Sequence, residues 1–140
     1  MKFYITGTRR GLGEALQDYY GNCNSLENCD IFINNKHDGF SQVEMLYKAT
    51  ALSKRVISIG SHASDFTWTS NYAVEKRALR EANHLEFTRG HNVTCMNFGY
   101  IDTERSKDVD EPKLDIDECC QAIEWVLRQK YRIKEITICR

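Results

Sequence analysis

Two hydrophobic rhythms alternate along the chain. Short runs of apolar, β-branched and aromatic residues stand at 2–6, 30–34, 55–59, 92–97 and 134–139. Runs this short, set between polar or glycine-containing stretches, predict strands. Longer segments between them carry apolar residues at helical spacing. Residues 12–20 read as a helix stopped by Gly21. Residues 41–52 place Val43, Leu46, Tyr47 and Thr50 on one face, and residues 70–88 do the same with Ala73, Val74, Ala78, Leu79, Ala82 and Leu85. After a polar loop at 102–113, Asp115 or Asp117 caps a last helix bearing Ile116, Cys120, Ile123, Val126 and Leu127.

Strand and helix in strict alternation predict an α/β domain. Five parallel strands joined by helices on both faces make a Rossmann-like, doubly wound sheet, with right-handed crossovers expected throughout. At 140 residues, all of it reads as one domain with room for a proper core. Composition adds mainly exclusions. A net charge of −1 does not point to nucleic acid or an anionic membrane, and no apolar run approaches the ~20 residues that span a bilayer. Met1 to Gly7 reaches glycine too soon for a signal peptide, so a cytoplasmic location is expected. Among six cysteines no C-x-x-C occurs, and the four histidines lack ligand spacing, so no metal is expected. Cys95 and Cys139, in apolar alternating runs, are expected in the core.

Candidate chemistry begins at Thr6-Gly7-Thr8-Arg9-Arg10-Gly11-Leu12-Gly13, between the first strand and the first helix. Glycines there permit a tight turn and close approach of backbone to a pyrophosphate, which the helix N-terminus favours. A glycine-rich turn without a ligand fits the same residues. Further on, Tyr72-Ala73-Val74-Glu75-Lys76 puts a phenol and an ammonium on one helix face. A nearby cation lowers a phenol's pKa, and bringing it from ~10 to near neutrality takes about 4 kcal/mol of differential stabilisation. Taken alone, that pair also reads as surface packing.

The order of these and three further segments resembles the short-chain dehydrogenase/reductase family. The glycine loop matches the family's T-G-x-x-x-G-[IL]-G at every fixed position, and Y-x-x-x-K matches at Tyr72 and Lys76. Ser61, ending the 56–61 strand eleven residues before Tyr72, resembles the serine that hydrogen-bonds the substrate oxygen, with Ser58 and Ser64 as fallbacks. Asn97-Phe98-Gly99-Tyr100-Ile101-Asp102-Thr103 resembles N-P-G-x-x-x-T, with Phe98 in place of proline. Asp30 to Asn35 resembles D-x-L-V-N-N-A-G, with Lys36 and His37 in place of Ala-Gly.

The resemblance implies an oxidoreductase that moves hydride between NADP(H) and a carbonyl or alcohol. Ser61, Tyr72 and Lys76 would be catalytic. Gly7, Thr8, Arg9, Arg10, Gly11, Leu12, Gly13, Asn34, Asn35, Tyr72, Lys76, Gly99, Ile101 and Thr103 would hold the cofactor. Arg10, or else Arg9, would pair the 2′-phosphate and favour NADP(H) over NAD(H), because guanidinium and phosphate pair bidentately; a solvated surface arginine is the plainer reading. The resemblance also implies a homodimer or homotetramer packed through the 70–88 helix, with a small carbonyl or alcohol as the other partner.

Departures from the family set the competing reading. Only residues 21–29 fill a stretch where the family fits two strands and a helix, so most of the adenosine pocket is gone and the first strand falls at or near a sheet edge. Either residues 21–29 or a second subunit is expected to cover that edge. Glu44 falls near the place of the family's tetrad asparagine, and the charged 104–113 segment makes a small, mobile lid. These losses are those of a catalytically weak relic, serving as a nucleotide-binding or interaction module.

Overall fold

The computed structural model describes residues 1–140. Its elements are β1 (Phe3–Ile5), α1 (Gly11–Tyr20), β2 (Ile31–Asn34), α2 (Ser41–Ala51), β3 (Arg55–Ser61), α3 (Asn71–Thr88), β4 (Val93–Phe98), α4 (Ile116–Arg128) and β5 (Glu135–Ile138). Short 3₁₀ turns occupy His62–Asp65 and Glu104–Ser106. All five strands are parallel and lie in the order β1-β2-β3-β4-β5, as the alternation predicts.

Period-two alternation divides the core between the two sheet faces. Phe3, Ile5, Ile31, Ile33, Ile57, Ile59, Met96 and Phe98 point to one face and pack with Leu12 and Leu16 of α1 and Ile123 and Val126 of α4. Phe32, Val56 and Val93 point to the other, against Leu46 and Ala49 of α2 and Leu79 and Ala82 of α3. Because the strands run in simple sequence order, a helix on one face and a helix on the other give crossovers of opposite hand. The β4–α4–β5 connection therefore has the hand opposite to those through α2 and α3, and uniform right-handedness does not hold.

The helices bury faces shifted from those the apolar spacing predicts. α2 buries Gln42, Leu46, Ala49 and Thr50, while Tyr47 is exposed. α3 buries Ala73, Lys76, Leu79, Ala82, Asn83 and Glu86, leaving Val74 and Leu85 in solvent. In both, buried polar groups with partners occupy positions that apolarity alone assigns to water. α4 starts at Asp115, whose carboxylate and Glu118 form a reciprocal cap, so Asp115 rather than Asp117 is the cap. Cys95 is buried as expected, but Cys139 lies past the end of edge strand β5 and is exposed.

The outer edge of β1 is closed by the chain itself. The Asn22 side chain accepts from Ile5 N (2.9 Å) and donates to Ile5 O (3.0 Å), and Cys23 N donates to Phe3 O (2.8 Å). Residues 21–29 then pass to the α2/α3 face, where Leu26 and Cys29 are buried. No strand forms there; one asparagine amide supplies the pairing that a neighbouring strand would.

Candidate active site

The glycine loop leads from β1 into α1 at the C-terminal end of the sheet. Gly7 and Gly11 have φ of +69° and +62°, which strains any residue with a side chain. A Cβ on Gly13 would stand 1.9 Å from the Gly7 carbonyl oxygen, so α1 packs on the loop at a distance only glycine allows. The loop is braced from β2: Thr6 Oγ1 accepts from Asn35 N and Lys36 N, both at 3.1 Å, and Asn35 Nδ2 donates to Thr6 O (3.2 Å) and Gly7 O (3.3 Å). Arg10 precedes α1 in extended backbone without capping it, and the Arg9 and Arg10 side chains reach into solvent. Leu12 is a core residue and offers a ligand only its backbone.

The segment after β4 comes up beside this loop. The Thr103 methyl lies 3.7 Å from where a Gly11 Cβ would be. Thr103 and Ser106 cap each other, and Ile101 bridges to Leu114, so both ends of the charged lid are tied down. Gly99 packs against Cys139, a structural reason for a glycine there.

The Ser-Tyr-Lys set assembles at the ends of β3 and α3. Ser61 Oγ accepts from Ala63 N (3.1 Å), and its hydroxyl favours the ionised form of the neighbouring Tyr72 phenol. Ser58 and Ser64 are fully buried, Ser58 receiving Asn34 Nδ2 (3.3 Å) and Ser64 receiving Arg80 Nη1 (3.4 Å), so neither faces a substrate. α3 begins at a Ser70 cap, which donates nothing to the site but fixes its start through Ala73 N (3.1 Å). Tyr72 and Lys76, one turn apart, differ sharply in exposure, at 42% and 3%.

Lys76 has no carboxylate partner. Its Nζ donates to Gln42 Oε1 (2.8 Å) and Ile59 O (2.9 Å), 5.6 Å from the Tyr72 ring centre. Gln42 Nε2 donates to Asn34 O (2.8 Å) and Ile59 O (3.1 Å), and Asn34 Nδ2 to Gln42 O (2.9 Å). Asn34 is thus spent on the frame of the site. Burial lowers Lys76 to about 8, with Arg105 adding to the effect. Burial also raises Tyr72, and the Ser61 hydroxyl and the charge of Arg105 only partly pull it back. The expected lowering of the phenol by Lys76 is therefore not what this arrangement produces, because desolvation dominates both groups.

Gln42 is the residue the sequence reading missed. It holds Lys76 from α2, whereas Glu44, two residues on, is exposed. The available clue was an amide on the same face as Leu46 and Ala49. His37, which departs from the family's Ala-Gly, packs at the site. Its ring meets Tyr72 edge-on at 4.8 Å and its Nε2 pairs Glu75 Oε1 at 3.1 Å. Asn35, Lys36 and His37 in succession thus tie the glycine loop to the tyrosine.

These residues fit a nicotinamide dinucleotide at the loop and the catalytic end: a close-packed glycine loop opening a helix N-terminus, beside the Ser61 and Tyr72 hydroxyls. The adenosine side fits less well, since residues 21–29 occupy the flank of β1.

No protein-family model matches the chain, and no curated protein matches it in sequence. Solved structures do match in fold. A 3-oxoacyl-[acyl-carrier protein] reductase from Brucella melitensis aligns with a TM-score of 0.73 at 14% identity, over 99% of this chain and 89% of that one. A short-chain dehydrogenase from Burkholderia cenocepacia in complex with NADP gives 0.70 at 19%, over 98% and 89%. A 3-alpha-hydroxysteroid dehydrogenase from a Pseudomonas species complexed with NADH gives 0.66 at 12%, over 99% and 95%. With five parallel strands in one sheet and helices on both faces, this chain has the fold of the short-chain dehydrogenases.

Proposed function

We propose that the chain is an NADP(H)-dependent oxidoreductase of the carbonyl reductase or alcohol dehydrogenase type, with Ser61, Tyr72 and Lys76 as its catalytic set. The observation that carries this reading is the convergence of a phosphate cradle at 7–13 with the Ser61–Tyr72 hydroxyl pair, held together through Asn35, Lys36 and His37. When bound, the nicotinamide supplies or takes up the hydride. Ser61 orients the substrate oxygen, and Tyr72 gives it a proton in reduction or takes one in oxidation. A phenol held above its ordinary pKa stays protonated, which suits the reductive direction. Lys76, with two of its three donors committed to Gln42 and Ile59, keeps one for ribose hydroxyls. Gly7, Thr8, Gly11, Leu12 and Gly13 offer backbone to the pyrophosphate, and Gly99, Ile101 and Thr103 flank the nicotinamide.

Arg10, with Arg9 beside it, is assigned to the 2′-phosphate, because both guanidinium groups stand in solvent next to the loop. Titration of NADPH and NADH by calorimetry tests the assignment: Arg10→Ala is expected to weaken NADPH more than NADH, and equal loss would remove it. A second copy packing on α3, where Val74 and Leu85 are exposed, makes the homodimer or homotetramer of this reading. The filled flank of β1 favours the second reading, a weak or inactive relic that binds nucleotide or protein. No saturable binding of either dinucleotide would decide for the relic.

A further inference from the structure

Tyr72, Lys76 and Arg80 stand four residues apart on α3 and so share one face of the helix. Arg80 lies outside the site described above, yet its guanidinium joins three segments of the chain. Nε donates to Glu135 Oε1 (2.6 Å) and Nη2 to Glu135 Oε2 (3.0 Å), the two-pronged pairing that a planar guanidinium offers a carboxylate. Nη1 donates to Ser64 Oγ (3.4 Å) and to Asp65 Oδ1. Glu135 opens β5, an edge strand, and α3 holds that strand's entry at two more points. His84 Nε2 meets Glu135 Oε1 at 2.9 Å, and Asn83 Nδ2 donates to Lys134 O (2.9 Å).

Ser64 and Asp65 belong to the 3₁₀ turn His62–Asp65, and Ser61 caps that turn by accepting from Ala63 N (3.1 Å). A hydroxyl that caps a turn goes where the turn goes. Ser64 is fully buried, so the turn cannot slide over α3 without exposing it. An unbroken series of contacts thus runs from Glu135 through Arg80 to the turn and Ser61. Arg80 itself sits on the same helix as Tyr72.

We propose that Arg80 is a positioning residue for catalysis: anchored by Glu135, it clamps the 62–65 turn to α3 and so sets where the Ser61 hydroxyl stands relative to Tyr72. The proposal rests on the oxidoreductase reading above for the reaction that this geometry serves. It makes the last strand of the sheet part of the catalytic assembly, although no residue of β5 reaches the site.

Hydrogen exchange at the Ala63 amide reads the turn without any substrate, because that amide is bonded to Ser61. Arg80→Met keeps the apolar stem and removes the fork. It is expected to speed Ala63 exchange about tenfold while the Ile57 and Leu16 amides in β3 and α1 exchange as before. Asp65→Asn, at an exposed residue, leaves the Glu135 pair intact and should loosen Ala63 in the same direction by less. An Ala63 rate that is unchanged, or that rises only in step with Ile57 and Leu16, overturns the proposal. In reduction of 2,3-butanedione by NADPH, Arg80→Met should lower kcat about tenfold, the order that a sub-ångström misplacement costs, with KM for NADPH unchanged. Added to Ser61→Ala it should cost nothing further, since the hydroxyl it places is gone. Losses that multiply in the double variant overturn the proposal. If the native protein reduces no carbonyl, the oxidoreductase reading fails, and Ala63 still decides whether Arg80 holds the turn.

Discussion

The centre of the sheet and its β1 flank solve different problems with different amounts of chain. At the centre, β2, α2, β3 and α3 bring Asn34, Gln42, Ser58 and Lys76 into one buried chain of hydrogen bonds, and Ser61 and Tyr72 stand beside it. On the flank, nine residues, 21–29, close an edge with one asparagine side chain and one backbone bond. Closing an edge requires only that its outward N–H and C=O groups find partners, and an amide has both. The contrast shows that a sheet edge can be closed by a short return loop without a neighbouring strand.

The comparison breaks first at Tyr72. Tyr72→Phe is expected to lower kcat about 10²–10⁴-fold while leaving nucleotide binding and the fold intact, because only one hydroxyl of a half-exposed residue is removed. Retained turnover, measured by cofactor absorbance, would take the phenol out of the chemistry. Gly13→Ala tests whether the phosphate cradle depends on close packing. Its Cβ would meet the Gly7 carbonyl oxygen at 1.9 Å, so α1 must move, at a cost of about 1–3 kcal/mol or more in urea unfolding and with loss of dinucleotide affinity. Unchanged stability would mean that the helix is not held where the structure puts it.

Lys76 offers a test through pH. Burial lowers it to about 8 from an ordinary 10.5. Between those values the unfolded chain binds more protons than the folded one, so stability rises with pH across that window; below it both states are charged and the full penalty of burial is present. Relative to Lys76→Met, the native protein should gain up to about 1.4 kcal/mol per pH unit between pH 8.5 and 9.5. A flat difference would show that the ammonium is better solvated than its surroundings imply. The smallest expected effect lies on the flank. Asn22→Ala leaves Ile5 N and O unpaired, costing about 1 kcal/mol and exposing the edge to pairing. Sedimentation velocity should show self-association that rises with concentration, and a monodisperse variant of native stability would mean that Asn22 does not guard the edge.

Much of the frame was legible because it rests on local pattern. Runs such as 30–34 and 92–97 are too short and apolar for anything but buried strands, and an aspartate at 115 or 117 marks a helix start. The helix faces were less legible. Gln42, Lys76, Asn83 and Glu86 are buried, and a count of apolar positions places such residues outside. What permits Gln42, Lys76 and Asn83 inside is a partner from another element, which spacing along one helix does not reveal.

By itself the sequence determined the alternation of strands and helices, the glycine loop and the order of Ser61, Tyr72 and Lys76, because each depends on residues close together in the chain. Only the tertiary structure decided that Gln42 holds Lys76, that burial raises rather than lowers the Tyr72 phenol, that His37 packs on that phenol, and that Asn22 closes β1. Those outcomes depend on which groups are taken from water together. Desolvation and hydrogen-bond pairing belong to the packed assembly, and no single segment carries them.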